Sequence, residues 1–416
     1  MVTNRGSTGQ WSTIVFVALV GIPGIVLRFT DPHIDPLIAA AVYGLSILAA
    51  AFLLSWAAET AEVDISQGLA LAIIAFIAVL PEYAVDAFLA WEAGTDPEEA
   101  AKGLAIANMT GGNRLLIGIG WPLIFLIFCY RKRLKELVVS RARSLEIAFL
   151  AVATLYVIFV PLRSTLTLAD TIVLVSLFAI YLVMTSRVES EEVELVGPAQ
   201  AMGSLNDWPR RILVLLVLVY AAGVIIASAE PFAHGLVETG QKLSISEFFL
   251  IQWVAPLASE SPEVLVAALL AWRGRAAAGI GALISSKVNQ WTLLIGTLPI
   301  AFMIGSGDWG LFNGLPLDGR QQDEIFLTAA QSAFAIAVFV NLRMNRTEAW
   351  ALFLLFATQL LLNEELIGSG AEVIRFWYAI AYMVLCAALL LRNRLAIPGL
   401  IRDARAIVTG RADFGE

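Results

Sequence analysis

The sequence has few charged residues, and this low charge content excludes a soluble fold. Only 15% of its 416 residues are charged, whereas soluble globular chains average about 25%. Hydrophobic residues make up 59% of the chain, and its mean hydropathy is +0.80. The composition therefore predicts a polytopic membrane protein.

Cysteine and histidine are also scarce, which limits the chemistry that the chain can carry. Cys129 and Cys386 lie far apart in hydrophobic stretches without metal-ligand spacing, so we expect neither a disulfide nor a zinc site. No nucleophile-base pair accompanies the acidic residues, which disfavours an intramembrane enzyme. No Walker motif occurs, and we expect no cofactor and no nucleotide. A net charge of -8 leaves no basic surface for nucleic acid.

Twelve segments are apolar enough to span a bilayer, which takes about 20 residues of α-helix. We therefore predict an all-α polytopic membrane protein with about 12 transmembrane helices. The segments cover residues 11–29, 37–58, 68–91, 103–129, 145–161, 166–185, 212–230, 245–272, 279–305, 325–343, 348–364 and 371–391.

The distribution of basic residues predicts which loops face the cytoplasm. Lysine and arginine collect in the loops after segments four, six, eight and ten and in the tail after segment twelve. The remaining loops are acidic or nearly neutral, and one is expected to hold Asp318, Asp323 and Glu324. Because basic loops stay cytoplasmic, we predict two cytoplasmic termini in a protein of the plasma (cytoplasmic) membrane.

A Pro-Glu motif occurs twice in the chain. Residues 81–91 (PEYAVDAFLAW) and 262–272 (PEVLVAALLAW) share the Pro-Glu pair, the final Ala-Trp and three positions between them. The copies lie in segments three and eight, and this odd offset predicts that they cross the membrane in opposite directions. We therefore predict two inverted five-helix repeats, with one extra helix at each end.

The repeat also predicts the domain organisation. The two halves of the membrane domain are joined by a polar, acidic linker that begins near residue 186. The predicted parts are an N-terminal half over 1–185 with its motif at 70–122, a cytoplasmic linker at 186–211, a C-terminal half over 212–391 with its motif at 250–299, and a cytoplasmic tail at 392–416.

The duplicated glutamates, Glu82 and Glu263, are the first candidates for a binding site. An acid at membrane depth is costly and marks a functional site, above all in a duplicated segment interrupted by proline. Hard cations such as Ca2+ and Na+ prefer oxygen ligands. We predict that both glutamates bind a metal cation, while polar residues in the following segments supply neutral oxygens. The candidates are Asn108, Asn113, Ser286 and Asn289.

Four more charged residues lie near these motifs. Asp86 and Glu260 are one helical turn from the motif glutamates and are predicted on the same helix faces; Asp86 could also lie near the outer mouth. Lys287 and Arg114 are charge-balancing candidates. For Arg114 a structural ion pair, or a side chain that extends to the membrane interface, is the favoured interpretation. Lys287 could pair with Glu260 or Glu82, or replace a sodium ion. If all six charged groups face one cavity, the net charge of -2 matches one divalent cation.

The motifs resemble those of the Ca2+/cation antiporter superfamily, which includes sodium/calcium exchangers. The resemblance rests on residues 80–82 (Leu-Pro-Glu), 108–113 (Asn-x-x-Gly-Gly-Asn) and 261–263 (Ser-Pro-Glu). It implies that Glu82 and Glu263 are the central cation ligands and that transport proceeds by alternating access.

The second repeat departs from the family pattern. Ala282 and Lys287 occupy the two asparagine positions, unless a shift of two residues assigns the second position to Asn289. The sequence therefore leaves open whether Asn113 corresponds to Lys287 or to Asn289.

We predict a secondary active cation antiporter that exchanges Ca2+, or a related cation, for Na+ or H+. The alternatives are a passive cation channel and an H+-coupled monovalent cation exchanger. One chain with inverted halves suits alternating access better than a continuous pore. The expected partners are inorganic cations and the lipid bilayer, and the oligomeric state stays open.

Overall fold

The structure is a computed structural model that describes residues 8–30, 34–61, 63–64, 80–186, 195–362 and 368–409. Three predicted parts lie partly outside these ranges: the first motif at 70–79, the linker at 187–194 and the tail at 410–416. The chain forms two compact units. Unit 1 comprises Met1–Phe88 and Glu189–Glu263, and unit 2 comprises Leu89–Val188 and Val264–Glu416.

Helices account for nearly all of the described residues. The first part of the chain forms α1 (Thr8–Thr30), α2 (Pro36–Ala61), α3 (Leu80–Thr95), α4 (Pro97–Lys102), α5 (Leu104–Leu115), a π-helical turn π1 (Leu116–Gly120), α6 (Trp121–Lys132), β1 (Glu136–Val138), α7 (Ser144–Val157), β2 (Thr165–Thr167) and α8 (Leu168–Thr185). The second part forms α9 (Pro198–Gly203), α10 (Asp207–Leu243), α11 (Glu247–Trp272), α12 (Ala276–Asn289), π2 (Gln290–Leu294), α13 (Ile295–Ser306), β3 (Gly314–Pro316), α14 (Gly319–Phe339), β4 (Arg343–Asn345), α15 (Arg346–Leu361), α16 (Ala371–Arg392) and α17 (Ile397–Val408).

Nine helical stretches in the described ranges are long and apolar enough to cross a membrane. They coincide with nine of the twelve predicted segments. Helices α3, α14 and α15 lie where the other three were predicted, although α3 and α15 have only 16 described residues each. The predominantly helical membrane architecture is confirmed, and the four short strands are a departure from the all-α prediction. The count of twelve helices stays a prediction.

Unit 1 is built around α1, α2 and α10. Its core contains Leu53 and Leu54 of α2 and Val224 and Ile225 of α10, all almost fully buried. Helix α10 continues through Pro231 to Leu243. The prediction that a loop follows residue 230 is therefore wrong. The sequence after residue 230 is not continuously hydrophobic. The helix continues because small and apolar residues of its last turns are buried against neighbouring residues.

An ion-pair cluster joins the turn after α2 to the start of α10. Asp64 lies 2.7 Å from Arg210 Nε and 2.9 Å from Arg211 Nε. The hydrogen bond from Arg210 lowers the pKa of Asp64 to about 2. Because the folded-state pKa is depressed, this cluster stabilises the protein above the ordinary carboxyl pKa of about 4. That stabilisation is lost as the pH falls toward 2.

Unit 2 contains two short antiparallel strand pairs and closely packed helices. Strand β1 pairs with β4, and β2 pairs with β3. Helices α3 and α13 meet at Gly94 and Gly305, where an added Cβ atom would lie 2.1 Å from a backbone carbonyl oxygen of the other helix. Small residues at helix contacts are typical of membrane proteins, because they let backbones approach.

The predicted cytoplasmic tail contains an amphipathic helix, α17. Its buried residues Leu400, Ala404 and Ile407 recur with helical spacing, while Arg402 and Arg405 are exposed. Helix α17 packs against α7. This spacing was readable in the sequence, but hydropathy alone does not reveal a short helix with so many charges.

Candidate cation-binding site

Four acidic side chains come together in unit 1. Glu82 and Asp86 lie on α3, and Glu260 and Glu263 lie on α11. The side chain of Glu82 lies close to that of Glu260 and interacts electrostatically with Glu260, Asp86 and Glu263. Glu82, Asp86 and Glu260 are at most 5% exposed, and Glu263 is half-buried. The two Pro-Glu motifs and their neighbouring acids thus form one acidic cluster, and Asp86 lies in its buried part.

Two prolines shape the backbone that carries this cluster. Helix α11 runs unbroken through Pro256 and Pro262. Proline has no backbone N–H, so Pro262 cannot donate to the Ala258 carbonyl one turn earlier. Nearby, the hydroxyls of Ser259 and Ser261 donate to the Pro256 and Leu257 carbonyls. Backbone and hydroxyl oxygens therefore accompany the carboxylates without the helix being interrupted.

The buried carboxyl groups of the acidic cluster lie close enough to repel one another when ionised. Two ionised carboxylates that lie close together in a buried position repel each other, because little solvent screens their charges. Glu82 Oε1 is buried and has no hydrogen-bond partner among the described residues. Within those residues, no three acidic, histidine or cysteine side chains are arranged as a preformed metal site. The cluster therefore concentrates negative charge at a buried position without forming a ready-made metal site.

A second buried polar group lies in unit 2, where Lys287 contacts Asn113. Lys287 Nζ donates to Asn113 Oδ1 and is 3.5 Å from the Asn113 backbone oxygen. It also lies 4.2 Å from the centroid of the Trp291 ring, a cation–π contact. Asn113 Nδ2 donates to the Met109 carbonyl at 2.7 Å. That bond orients the amide so that its oxygen faces the ammonium group.

The other predicted neutral ligands also belong to unit 2. Asn108 on α5 and Asn289 at the end of α12 are buried, and Ser286 is half-buried. Asn108 lies five positions before Asn113 on the same helix. These residues are positioned by α5 and α12, the helices that precede the two π-helical turns.

Arg114 forms a buried ion pair that the sequence did not reveal. Its Nη2 lies 2.6 Å from Glu324 Oε2, and Arg375 Nε lies 3.8 Å from Glu324 Oε1. The prediction that Glu324 lies in an outer loop is wrong. Asp318 caps α14 by accepting from the Gln321 N–H at 2.7 Å, so Glu324 falls in the second turn and is buried. The pairing favours the structural role left open for Arg114.

A further polar cluster uses the serine next to Ser286. Ser285 Oγ donates to Glu146 Oε1 at 3.0 Å and accepts from the Tyr181 hydroxyl at 3.2 Å. Arg143 Nη1 lies 2.7 Å from the same Glu146 oxygen. Sequence reasoning missed Glu146, although an arginine three residues before a glutamate at a helix start is a typical pairing pattern. This cluster ties α7, α8 and α12 together.

The chain matches a family model described as sodium/calcium exchanger protein over residues 35–187 and 213–363. The chain belongs to this exchanger family. The predicted superfamily is therefore confirmed, and the exchanger is an integral membrane cation transporter rather than an enzyme.

Solved structures agree with that assignment. The exchanger is similar to the crystal structure of the H+/Ca2+ exchanger CAX, with 41% identity, a TM-score of 0.90, and coverage of 97% of this chain and 99% of the other. The Ca2+/H+ antiporter YfkE is 16% identical with a TM-score of 0.61, covering 84% and 99%. The sodium-calcium exchanger NCX_Mj is 18% identical with a TM-score of 0.52, covering 77% and 96%. The last two show the shared fold alone.

One curated relative also matches the exchanger. CaxA of Alkalimonas amylolytica, a candidate antiporter, is 28% identical over 106 residues, which make up 26% of this chain. The match spans about a third of that relative's length, 32%.

Proposed function

We propose that the exchanger carries Ca2+ in one direction and H+ in the other by alternating access. The closeness of the buried side chains of Glu82 and Glu260 carries this proposal, because two buried carboxylates repel each other unless a proton or a cation compensates their charge. The 41% identity to a protein described as an H+/Ca2+ exchanger supports the same pair of ions. The family description names sodium as well as calcium, so Na+ is the competing coupling ion.

The proposed exchange keeps the charge of the acidic cluster constant. One Ca2+ ion carries the same charge as two protons. One bound Ca2+ ion and two bound protons therefore neutralise the same number of carboxylates. Without a load, the buried carboxylates repel one another in a medium of low dielectric, which disfavours crossing of the empty transporter. We propose Glu82 and Glu263 as the central ligands, assisted by Asp86, Glu260, Asn108, Asn113, Ser286 and Asn289.

We further propose the architecture of twelve helices with two inverted five-helix repeats. Turns π1 and π2 begin at residues 116 and 290, and each precedes a helix of 12 residues. This register, with a shift of 174 positions, supports the correspondence of Asn113 with Lys287 over that with Asn289. The strand pairs support the repeat as well. In the two halves β1 corresponds to β3, and β2 corresponds to β4. Each of the two strand pairs therefore joins the first strand of one half to the second strand of the other.

The predicted domain limits and orientation remain part of this proposal. They are a membrane half over 1–185, a linker at 186–211, a second half over 212–391 and a tail at 392–416. Both termini are proposed to be cytoplasmic, with the protein in the plasma (cytoplasmic) membrane. The basic residues in the loops after segments four, six, eight and ten support that orientation.

The coupling ion can be tested with purified exchanger in proteoliposomes that contain a Ca2+ reporter. We expect an imposed pH gradient to drive Ca2+ uptake, with saturation and with loss of uptake when a protonophore collapses the gradient. An equal Na+ gradient at constant pH should leave uptake at the level of empty vesicles. Uptake driven by Na+ alone would contradict H+ coupling, and unsaturable flux without a counter-ion would favour the channel.

Lys287→Gln should change the pH dependence of transport. We propose that Lys287 balances negative charge during the transport cycle, and an opposite charge favours ionised carboxylates. Without it the carboxylates should hold protons more tightly, moving the pH of half-maximal uptake upward by about one unit. The control is Lys102→Gln, which removes a half-buried lysine 2.7 Å from Glu99. An unchanged pH profile for Lys287→Gln would show that Lys287 is only structural.

A further inference from the structure

We propose that a cavity in unit 2 binds an anionic phospholipid, with its phosphate at the cavity mouth and part of an acyl chain along the inner wall. The cavity has a volume of about 760 Å³ and lies among α6, α14, α15 and α16. None of its lining residues belongs to the acidic cluster, and the proposed exchange gives none of them a role.

The position of the cavity corresponds to the level of lipid headgroups. Helix α6 ends at Lys132, α15 begins at Arg346, and α16 ends at Arg392. Strand β1, just after α6, pairs with β4, just before α15. The ends of three membrane helices thus meet at one face of the bilayer, the face predicted to be cytoplasmic from its basic loops.

The cavity has an excess of positive charge. Four basic residues line it, Arg133, Lys135, Arg346 and Arg392, against the two acids Glu136 and Glu348. In the described ranges, none of the four basic side chains is within ion-pair distance of a carboxylate, and all four residues are exposed. Basic pockets between membrane helices on the cytoplasmic side are typical sites for anionic headgroups.

Both acids at the cavity are already engaged elsewhere. Glu136 Oε2 lies 3.4 Å from Arg343 Nη1. Glu348 accepts a hydrogen bond from the Asn345 N–H at 2.9 Å in a capping box at the start of α15. Arg392 also interacts electrostatically with Glu348, but the basic side chains of the cavity still outnumber its two acids, and this excess is available to a phosphate group.

The inner wall of the cavity is apolar, which favours a lipid over a free anion. Phe334 of α14 and Leu385, Ala388 and Leu389 of α16 form this wall. From Leu385 to Arg392 the helix rises about 10 Å, at about 1.5 Å per residue. A wall of that length accommodates several methylene groups below a phosphate, whereas inorganic phosphate would gain nothing from it.

Native mass spectrometry of the detergent-solubilised full chain tests this proposal. We would add phosphatidylglycerol, phosphatidylcholine or inorganic phosphate at equal concentration and measure retained adducts. The test variant is Arg346→Gln with Arg392→Gln; the control is Arg402→Gln with Arg405→Gln, which removes the same charge from exposed positions on α17. A third variant, Ala388→Trp, fills the apolar wall and leaves the charge unchanged.

We expect phosphatidylglycerol to be retained by the wild type and by the α17 control. The Arg346/Arg392 variant should bind it about 30-fold more weakly, since each basic side chain near an anionic lipid contributes a factor of about five. Ala388→Trp should also lose the lipid, and phosphatidylcholine and phosphate should not be retained. Equal retention in the Arg346/Arg392 variant and the α17 control, equal retention of phosphatidylcholine, or competition by inorganic phosphate would overturn the proposal. None of these readouts depends on the transported ions.

Discussion

Glu82→Gln should abolish Ca2+ uptake by reconstituted exchanger while leaving the fold intact. The substitution preserves shape but removes a charge from the centre of the acidic cluster, where Glu82 contacts Glu260. Removing one charged partner from a buried site costs roughly 3 kcal/mol or more, equivalent to about 100-fold in binding. Uptake driven by a pH gradient should therefore fall to the background of empty vesicles, and Glu263→Gln should have the same effect.

The matched control for this prediction is Glu98→Gln. Glu98 is exposed in the first turn of the short helix α4, so the same chemical change there should leave uptake unaffected. Size-exclusion elution and helical content should be equal in all three variants. Normal uptake in either cluster variant would remove that glutamate from the set of cation ligands.

Glu324→Gln should strongly destabilise the protein. Glu324 lies between Arg114 and Arg375, at 2.6 Å and 3.8 Å, and all three side chains are buried. Loss of the carboxylate leaves two buried guanidinium groups without their shared counter-charge, which costs about 3–5 kcal/mol of folding free energy. In detergent, we expect the apparent melting temperature to fall by several degrees.

A neighbouring residue and a compensating change make this test specific. Asp323→Asn removes a carboxylate from the same helix at a half-buried position and should cost far less. Adding Arg114→Met to Glu324→Gln should restore much of the lost stability, because an apolar side chain needs no counter-charge. The assigned role of Glu324 is wrong if Glu324→Gln and Asp323→Asn melt at the same temperature.

Local sequence information was sufficient for the membrane helices and for the acidic motifs. Apolar segments of bilayer length are a strong signal, since a helix satisfies its own backbone hydrogen bonds in lipid. The doubled Pro-Glu also pointed correctly to one cluster, because Asp86 and Glu260 follow from helical periodicity around Glu82 and Glu263. These inferences needed only spacing along single helices.

The misplaced and missed features depend on contacts between distant parts of the chain. Glu324 was assigned to a loop because it is charged and directly precedes the apolar segment 325–343. Its burial instead depends on Arg114, which lies 210 positions earlier in the sequence. The bond between Lys287 and Asn113 is similar, as no local pattern predicts which buried polar groups will meet. Helix α10 extends beyond its apolar segment because tertiary packing outweighs the hydropathy of single residues.

The strand pairs of unit 2 constrain when this protein can finish folding during synthesis. Strand β1 at residues 136–138 cannot pair until β4 at 343–345 has been synthesised. Likewise, β2 at 165–167 cannot pair until β3 at 314–316 has been synthesised. The ribosome adds about 5–20 residues per second, so β1 remains without its partner for at least about ten seconds. A chain truncated before residue 314 leaves both early strands unpaired, so the first half cannot mature alone before the second half is inserted.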